Sequence, residues 1–138
     1  MNKRILVDTN ILIYALDRDS KFHTQAHLLF NRHDIEIFTT SKNITEFLVV
    51  LTRDEDLNIS IKECIESLEG MLADVTVLYP NKTSFELFYD LVRKYNAKGL
   101  WIHDVEIASI ALAHGIKDIA TKNIKDFKRL KEINILEF

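Results

Sequence analysis

The chain has 138 residues, 47% of them hydrophobic, which is enough to bury one core and predicts a single domain spanning residues 1–138. With only 3 Gly and 1 Pro, it contains no stretch that is typical of a linker or a low-complexity segment. The net charge of -3 argues weakly against a general polyanion-binding protein, and no apolar run is long enough for a membrane span.

The amino-terminal residues and the single cysteine bear on the cellular compartment. Residues 1–4 lead into only a few apolar residues before Asp8, so we expect no signal peptide and a cytoplasmic protein. Cys64 is the only cysteine and cannot form an internal disulfide. We expect it to be a buried or half-buried helix residue and not a nucleophile.

Hydrophobic periodicity predicts strands that alternate with helices. In chain order, the first half contains a strand at 4–7, helices at 10–17 and 22–32, a strand at 36–39, a helix at 42–53 capped by Ser41, and a helix that begins after Ser60. The second half contains a strand at 74–79, helices at 83–95 and 103–114, a strand at 118–120, a helix at 124–131 and an edge strand at 133–136. This order predicts an α/β fold with three layers (α/β/α) and a central, mostly parallel sheet of four or five strands.

Acidic residues interrupt or follow apolar segments at four places. Asp8 ends the first predicted strand, where burial of an ionised acid is costly unless a cation or several donors compensate it. The other three acids are Glu46, Asp104 and Asp126. Asp8 and Asn123 follow predicted strands, at the sheet edge where α/β folds form their sites. Glu46 and Asp104 lie near the starts of predicted helices, so their carboxylates can turn toward the same crevice. Such oxygen ligands suit Mg2+ or Mn2+, whereas no His or Cys spacing resembles a zinc cluster.

Each acid also has a simpler explanation when it is taken alone. Asp8 and Asp104 could cap helices, and Glu46 could favour the positive end of its helix. Asp126 could pair with a nearby basic residue. These explanations are independent of one another, whereas a shared site accounts for all four acids together. Glu106 lies two residues past Asp104, so we expect it to face away from the site.

The last segment of the chain is rich in Lys and Arg. Taken alone, such a run is typical of a solvated helix face. Beside an acidic metal site, it favours a surface that follows the phosphates of a nucleic acid. The residues predicted to do so are Lys122, Lys125 and Arg129, whereas Lys128 and Lys131 are expected to be solvated.

Four segments together resemble the PIN-domain family and, within it, the small VapC-type ribonuclease toxins. These segments are residues 7–12 (Val-Asp-Thr-Asn-Ile-Leu), 41–47 (Ser-Lys-Asn-Ile-Thr-Glu-Phe), 103–108 (His-Asp-Val-Glu-Ile-Ala) and 121–127 (Thr-Lys-Asn-Ile-Lys-Asp-Phe). No single motif is specific, but the four in this order span nearly the whole chain. The resemblance implies a Mg2+- or Mn2+-dependent ribonuclease, a homodimer and, for toxin members, a separate small antitoxin protein that blocks the site.

The resemblance transfers site residues position by position. Asp8, Glu46 and Asp104 match the family's three core acids, and either Asn123 or Asp126 completes the metal site. The supporting residues are Thr121, which matches a small hydroxyl residue of the site, and Asn10.

The sequence therefore predicts metal-assisted hydrolysis of RNA phosphodiester bonds without a side-chain nucleophile. The predicted catalytic residues are Asp8, Glu46, Asp104 and Asp126; the predicted metal ligands are Asp8, Asp104, Asp126 and Asn123; and the predicted RNA-binding residues are Lys122, Lys125 and Arg129. The resemblance implies single-stranded or loop RNA as substrate, because its backbone can enter a crevice. The alternative is a catalytically weak or inactive PIN-like module that binds RNA or a protein.

Several apolar helix residues are open to two interpretations. They are Ile11, Leu12, Phe22, Phe30 and the segment 47–51. Either they complete the core, or they form a surface for a dimer or an antitoxin.

Overall fold

A five-stranded parallel sheet forms the centre of the protein, in a computed structural model that describes residues 2–137. The strands are β1 (Lys3–Val7), β2 (Ile35–Thr40), β3 (Val75–Leu78), β4 (Asp118–Ala120) and β5 (Asn134–Leu136), in the sheet order β3-β2-β1-β4-β5. The helices are α1 (Thr9–Leu16), α2 (His23–Phe30), α3 (Ser41–Arg53), α4 (Ile61–Leu72), α5 (Lys82–Tyr95), α6 (Trp101–Ala113) and α7 (Ile124–Phe127). Each neighbouring pair of strands is parallel, which confirms the predicted fold class.

Alternate residues of β1 divide the core into two layers. Ile5 and Val7 pack with apolar residues of α1 to α4 on one face of the sheet, and Leu6 packs with those of α5 to α7 on the other. All three side chains are fully buried, and burial of each stabilises the fold by roughly 1.5–3 kcal/mol. Because the strand is covered on both faces, its sequence is continuously apolar instead of alternating.

The central position of β1 brings three strand ends together. β1 lies between β2 and β4, and its last residue, Val7, is paired with Ala120, the last residue of β4. β2 ends two residues beyond Phe38, the partner of Leu6. Asp8 directly follows β1, Thr121 directly follows β4, and Thr40 is the last residue of β2. Three polar residues therefore meet at the carboxyl edge of the sheet, where parallel α/β folds place their functional sites.

The predicted elements are found within two residues of their expected bounds, with one exception, and one predicted cap is wrong. Thr40, not Ser41, caps α3, because its Oγ1 accepts a hydrogen bond from the backbone N of Asn43 at 3.1 Å. α7 ends at Phe127, four residues before its predicted end. Beyond Phe127 the chain continues as a turn closed by the backbone N of Leu130 and the carbonyl of Phe127, and both apolar side chains are buried in the core.

Four of the nine apolar residues considered as a partner surface lie in the core. Ile11, Leu12, Phe47 and Leu51 are buried, so for them the surface interpretation is wrong. Phe22, Phe30, Leu48 and Val50 are half-buried. The large apolar side chains that are exposed are Leu28, Val49, Leu57, Ile61, Ile65, Tyr79, Phe85, Tyr89 and Leu100. Cys64 is buried in α4 as predicted, and none of the helices described within residues 2–137 could cross a membrane.

Candidate active site

Asp8 is a buried carboxylate at the carboxyl end of the central strand, with only 6% of its surface exposed. Its Oδ1 accepts hydrogen bonds from the backbone N of Thr9 (2.9 Å) and from Nδ2 of Asn43 (3.1 Å). Its Oδ2 accepts a hydrogen bond from Oγ1 of Thr121 (2.8 Å). Burial and the charge of Glu46 raise the pKa of Asp8, and the three hydrogen bonds oppose that rise. Asp8 also precedes α1 as its cap, so one side chain serves the helix and the site.

A buried amide connects Asp8 to Glu46. Besides its bond to Asp8, Nδ2 of Asn43 donates to Oγ1 of Thr9 at 3.0 Å. The Thr9 hydroxyl in turn donates to Oε2 of Glu46 at 3.2 Å. Asn43 and Glu46 lie three residues apart on α3, so they share one side of that helix. Packing of α3 against α1 therefore places the Glu46 carboxylate beside the end of β1.

Asp104 lies in the first turn of α6, inside the helix and not at its cap, because the helix begins at Trp101. Burial raises the pKa of Asp104 to about 7, and repulsion from the charges of Asp8, Asp126 and Glu46 adds to this rise. These repulsions require the other three carboxylates to lie nearby. The structure thus brings the four predicted acids into one electrostatic site.

Asn123 and Asp126 both approach this site from the segment after β4. Nδ2 of Asn123 lies 3.5 Å from Oδ2 of Asp104 and favours its ionised form. The backbone carbonyl of Asp126 accepts a hydrogen bond from Nε1 of Trp101 at 3.1 Å, which fixes α7 against the start of α6. Asn123 and Asp126 also line the same cleft, so both stay candidates for the fourth position.

Thr121 and Asn10, the predicted supporting residues, hold the loop after β4 in place. Oγ1 of Thr121 donates to Asp8 and accepts a hydrogen bond from the backbone N of Asn123 at 2.9 Å. Oδ1 of Asn10 accepts a hydrogen bond from the backbone N of Lys122 at 3.3 Å. The loop is therefore tied to both β1 and α1.

Three of the four acids, Glu46, Asp104 and Asp126, open onto a cleft of about 530 Å3. Its lining residues are Lys42, Thr45, Glu46, Leu100, Trp101, His103, Asp104, Ile107, Asn123 and Asp126. Lys42 contributes a cation from α3, and its Nζ lies 3.2 Å from Oε1 of Glu106 on α6. Glu106 does not line the cleft itself. The ion pair joins the two helices that form opposite walls and leaves Lys42 partly exposed to a ligand.

The basic residues predicted to bind RNA lie in and beside α7. Two of them are placed against aromatic rings: Nζ of Lys122 lies 3.9 Å from the ring centre of Phe22, and the guanidinium carbon of Arg129 lies 3.6 Å from the ring centre of Trp101. Such contacts orient the side chain without neutralising its charge. Lys125 is exposed. Because Trp101 also lines the cleft, Arg129 contacts a residue of the cleft wall.

The donor atoms of the site suit a hard divalent cation, since they are carboxylate and amide oxygens. Within residues 2–137, no group of three or more His, Cys, Asp or Glu side chains is arranged to enclose a metal ion. Mg2+ needs no such cage, because it keeps several waters and binds through one or two carboxylates. The repulsion that contributes to the raised pKa of Asp104 reflects an excess of negative charge at the site, and a bound cation would offset that charge.

Three residues of the site were not predicted from the sequence: Thr9, Lys42 and Asn43. Asn43 did carry a signal, because it begins the stripe Asn43, Phe47, Leu51 that forms the buried side of α3. An amide within an apolar stripe indicates a buried polar partner. No sequence signal indicated Thr9 or Lys42, because their contacts depend on how α3 packs against α1 and α6.

The PIN domain family model matches residues 5–133, and the chain belongs to this family. Among solved structures, a chain of VapBC2 from Rickettsia felis, bound to a DNA fragment from the promoter, has a TM-score of 0.75 at 19% identity over 98% of both chains. VapBC-1 from nontypeable Haemophilus influenzae has a TM-score of 0.71 at 20% identity over 97% of both chains.

A third structure is that of VapC20 from Mycobacterium tuberculosis, described as a toxin that cleaves the sarcin-ricin loop. Its TM-score is 0.70 at 13% identity, covering 91% of this chain and 94% of that one. No curated protein sequence matches the chain. At these low identities, the likeness to solved structures establishes the fold.

Proposed function

We propose that the protein is a Mg2+- or Mn2+-dependent endoribonuclease that hydrolyses RNA phosphodiester bonds. The observation that carries this proposal is that Glu46, Asp104 and Asp126 line one cleft, while the buried Asp8 lies close enough for its charge to raise the pKa of Asp104. Membership of the PIN domain family and the fold shared with VapC20 support it.

The roles of the residues follow from their places. Asp8 and Asp104 would hold the cation, and Asp126 or Asn123 would complete its site. When bound, the cation supplies Lewis-acid stabilisation of the charge that develops on the phosphoryl oxygens. Glu46 orients the attacking water and accepts its proton, and the Thr9 hydroxyl keeps that carboxylate in position.

Single-stranded or loop RNA suits the charge distribution around the cleft. Lys42 lies on its wall, and the three basic residues Lys122, Lys125 and Arg129 lie beside it. These cations can pair with successive phosphates of a flexible strand, which would release counterions and make binding salt-dependent. The protein overall is acidic, so the local excess of cations would direct RNA to this side.

We further propose that the protein is the toxin of a toxin–antitoxin pair, and that it acts in the cytoplasm as a homodimer bound by a small antitoxin protein. The fold shared with chains of VapBC complexes supports an antitoxin partner. The exposed apolar side chains, among them Leu28, Ile61 and Phe85, provide surface for both contacts.

Controlled expression in a bacterial host tests the toxin proposal. Wild type and Asp118→Asn should arrest growth, because Asp118 lies at the opposite end of β4 from the site. Asp8→Asn should not. Co-expression of the product of the adjacent gene should relieve the arrest, and the two proteins should co-purify. Harmless expression of a folded wild-type protein would contradict the toxin proposal and favour the inactive binding module.

A further inference from the structure

Asn43 is a polar residue on the apolar, buried side of α3. It is fully buried, on the side of α3 that also carries Phe47 and Leu51. An amide at such a position lowers stability unless all its polar atoms are hydrogen-bonded. Both hydrogens of its Nδ2 are used at the site: one is donated to Oδ1 of Asp8 and the other to Oγ1 of Thr9.

The orientation of this amide is fixed from the other side. Oδ1 of Asn43 accepts hydrogen bonds from the backbone N of Thr40 (3.3 Å) and from its Oγ1 (2.6 Å). A flipped amide would place N–H groups against the Thr40 backbone N–H and an oxygen against the Asp8 carboxylate. The start of α3 therefore determines which atom of Asn43 faces Asp8.

The hydrogen bonds divide the two oxygens of Asp8 into different roles. A carboxylate offers about four lone-pair positions, two on each oxygen. Thr9 and Asn43 use both positions of Oδ1, and Thr121 uses one of Oδ2. One position is left, on Oδ2. Without the Asn43 amide, the carboxylate could rotate and Oδ1 would compete for the same ligand.

We propose that Asn43 is a positioning residue that saturates Oδ1 of Asp8, presents Oδ2 to a divalent cation, and aligns Glu46 through Thr9. This inference rests on the proposed metal-dependent activity. Groups that orient a metal ligand through one hydrogen bond commonly change metal affinity by about 10–100-fold when removed. We expect an effect of this size from loss of the Asn43 amide.

The test measures Mn2+ binding at 25 °C through the EPR signal of free Mn2+, with melting temperatures recorded in EDTA. Asn43→Leu keeps the branching of the side chain but has no hydrogen-bond donors. Its dissociation constant for Mn2+ should rise by about 10-fold or more. Asn81→Leu is the matched control, because it removes the side-chain amide that caps α5, a helix that does not line the cleft. It should melt at a lower temperature and bind Mn2+ as the wild type does.

RNA cleavage provides an independent readout of positioning. Excess Mn2+ should restore most of the activity of Asn43→Leu, because Asp8 is still present, whereas it should not restore Asp8→Asn. If Asn43→Leu fails to fold, Asn43→Ser replaces it: its single hydroxyl is too short to reach both Thr40 and Asp8, and Mn2+ affinity should fall in the same direction.

The outcomes separate this inference from the proposed function. Unchanged Mn2+ affinity in a folded Asn43 variant, or an equal loss in Asn81→Leu, overturns the positioning role while the nuclease proposal stands. A wild-type protein that binds no Mn2+ and cleaves no RNA overturns both.

Discussion

Replacement of Asp104 by Asn should stabilise the metal-free protein at neutral and alkaline pH. In the folded protein, burial and repulsion from neighbouring carboxylates raise the pKa of Asp104 from 3.8 to about 7. The folded protein thus binds this proton more tightly than the unfolded chain. Ionisation of Asp104 therefore lowers the free energy of unfolding as the pH rises from about 4 to about 7, and the loss is complete above that range.

The size of the effect follows from the same pKa. The difference between 3.8 and about 7 corresponds to about 4 kcal/mol, at roughly 1.4 kcal/mol per pH unit. Asp104 is only partly buried, so solvent screening reduces this to about 1–2 kcal/mol. For a domain of this length, that gain should raise the melting temperature by about 3–10 °C. Asn at position 104 can still accept the hydrogen bond from Asn123.

Thermal unfolding in EDTA at pH 8 and pH 4.5 measures this effect. Asp104→Asn should show the full gain at pH 8 and less than about half of it at pH 4.5. Glu132→Gln is the contrasting control: partial burial disfavours its ionised form, but hydrogen bonds from Lys94 and Tyr95 outweigh this and lower the pKa of Glu132. It should be no more stable than the wild type. A lower melting temperature of Asp104→Asn at pH 8, or the same gain at both pH values, would refute the reasoning.

Three further outcomes are expected. Glu46→Gln should lower the rate of RNA cleavage by about 100-fold or more without unfolding the protein, as checked by steady-state kinetics and circular dichroism. Combined charge reversal at Lys122, Lys125 and Arg129 should weaken RNA binding and flatten its salt dependence, whereas reversal of the exposed Lys62 on α4 should not; equal salt slopes would contradict an RNA-binding role. Mn2+ should raise the melting temperature of the wild type at pH 8, and an equal shift from KCl at matched ionic strength would argue against a specific site.

The positions of the acids could be predicted because their signals are local. Asp8 ends an apolar run that has no packing use for a charge, and the topology of a parallel sheet brings such strand ends to one edge. Glu46 and Asp104 could be added because their helices begin at that edge. The alternation of strands and helices was therefore sufficient to predict most of the fold and which acids belong to the site.

The remaining features depend on contacts between distant segments. Lys42 meets Glu106 only because α3 and α6 form opposite walls, and no spacing in the sequence indicates this pair. Asn43 reaches Asp8 across 35 positions of the chain. The early end of α7 has no local signal either, because Phe127 and Leu130, which are both buried, would also share one face of a continued helix.

The most direct test of the central proposal is cleavage of a generic single-stranded RNA by the purified protein, with Mn2+ and with EDTA. Asp8→Asn is the test variant, and Asp118→Asn is the control, since Asp118 lies at the start of β4 with Nζ of Lys3 at 4.0 Å. We expect wild type and Asp118→Asn to cleave the RNA only with Mn2+, and Asp8→Asn to be folded but slower by about 100-fold or more. A folded Asp8→Asn protein with near-normal, metal-dependent cleavage would contradict the account.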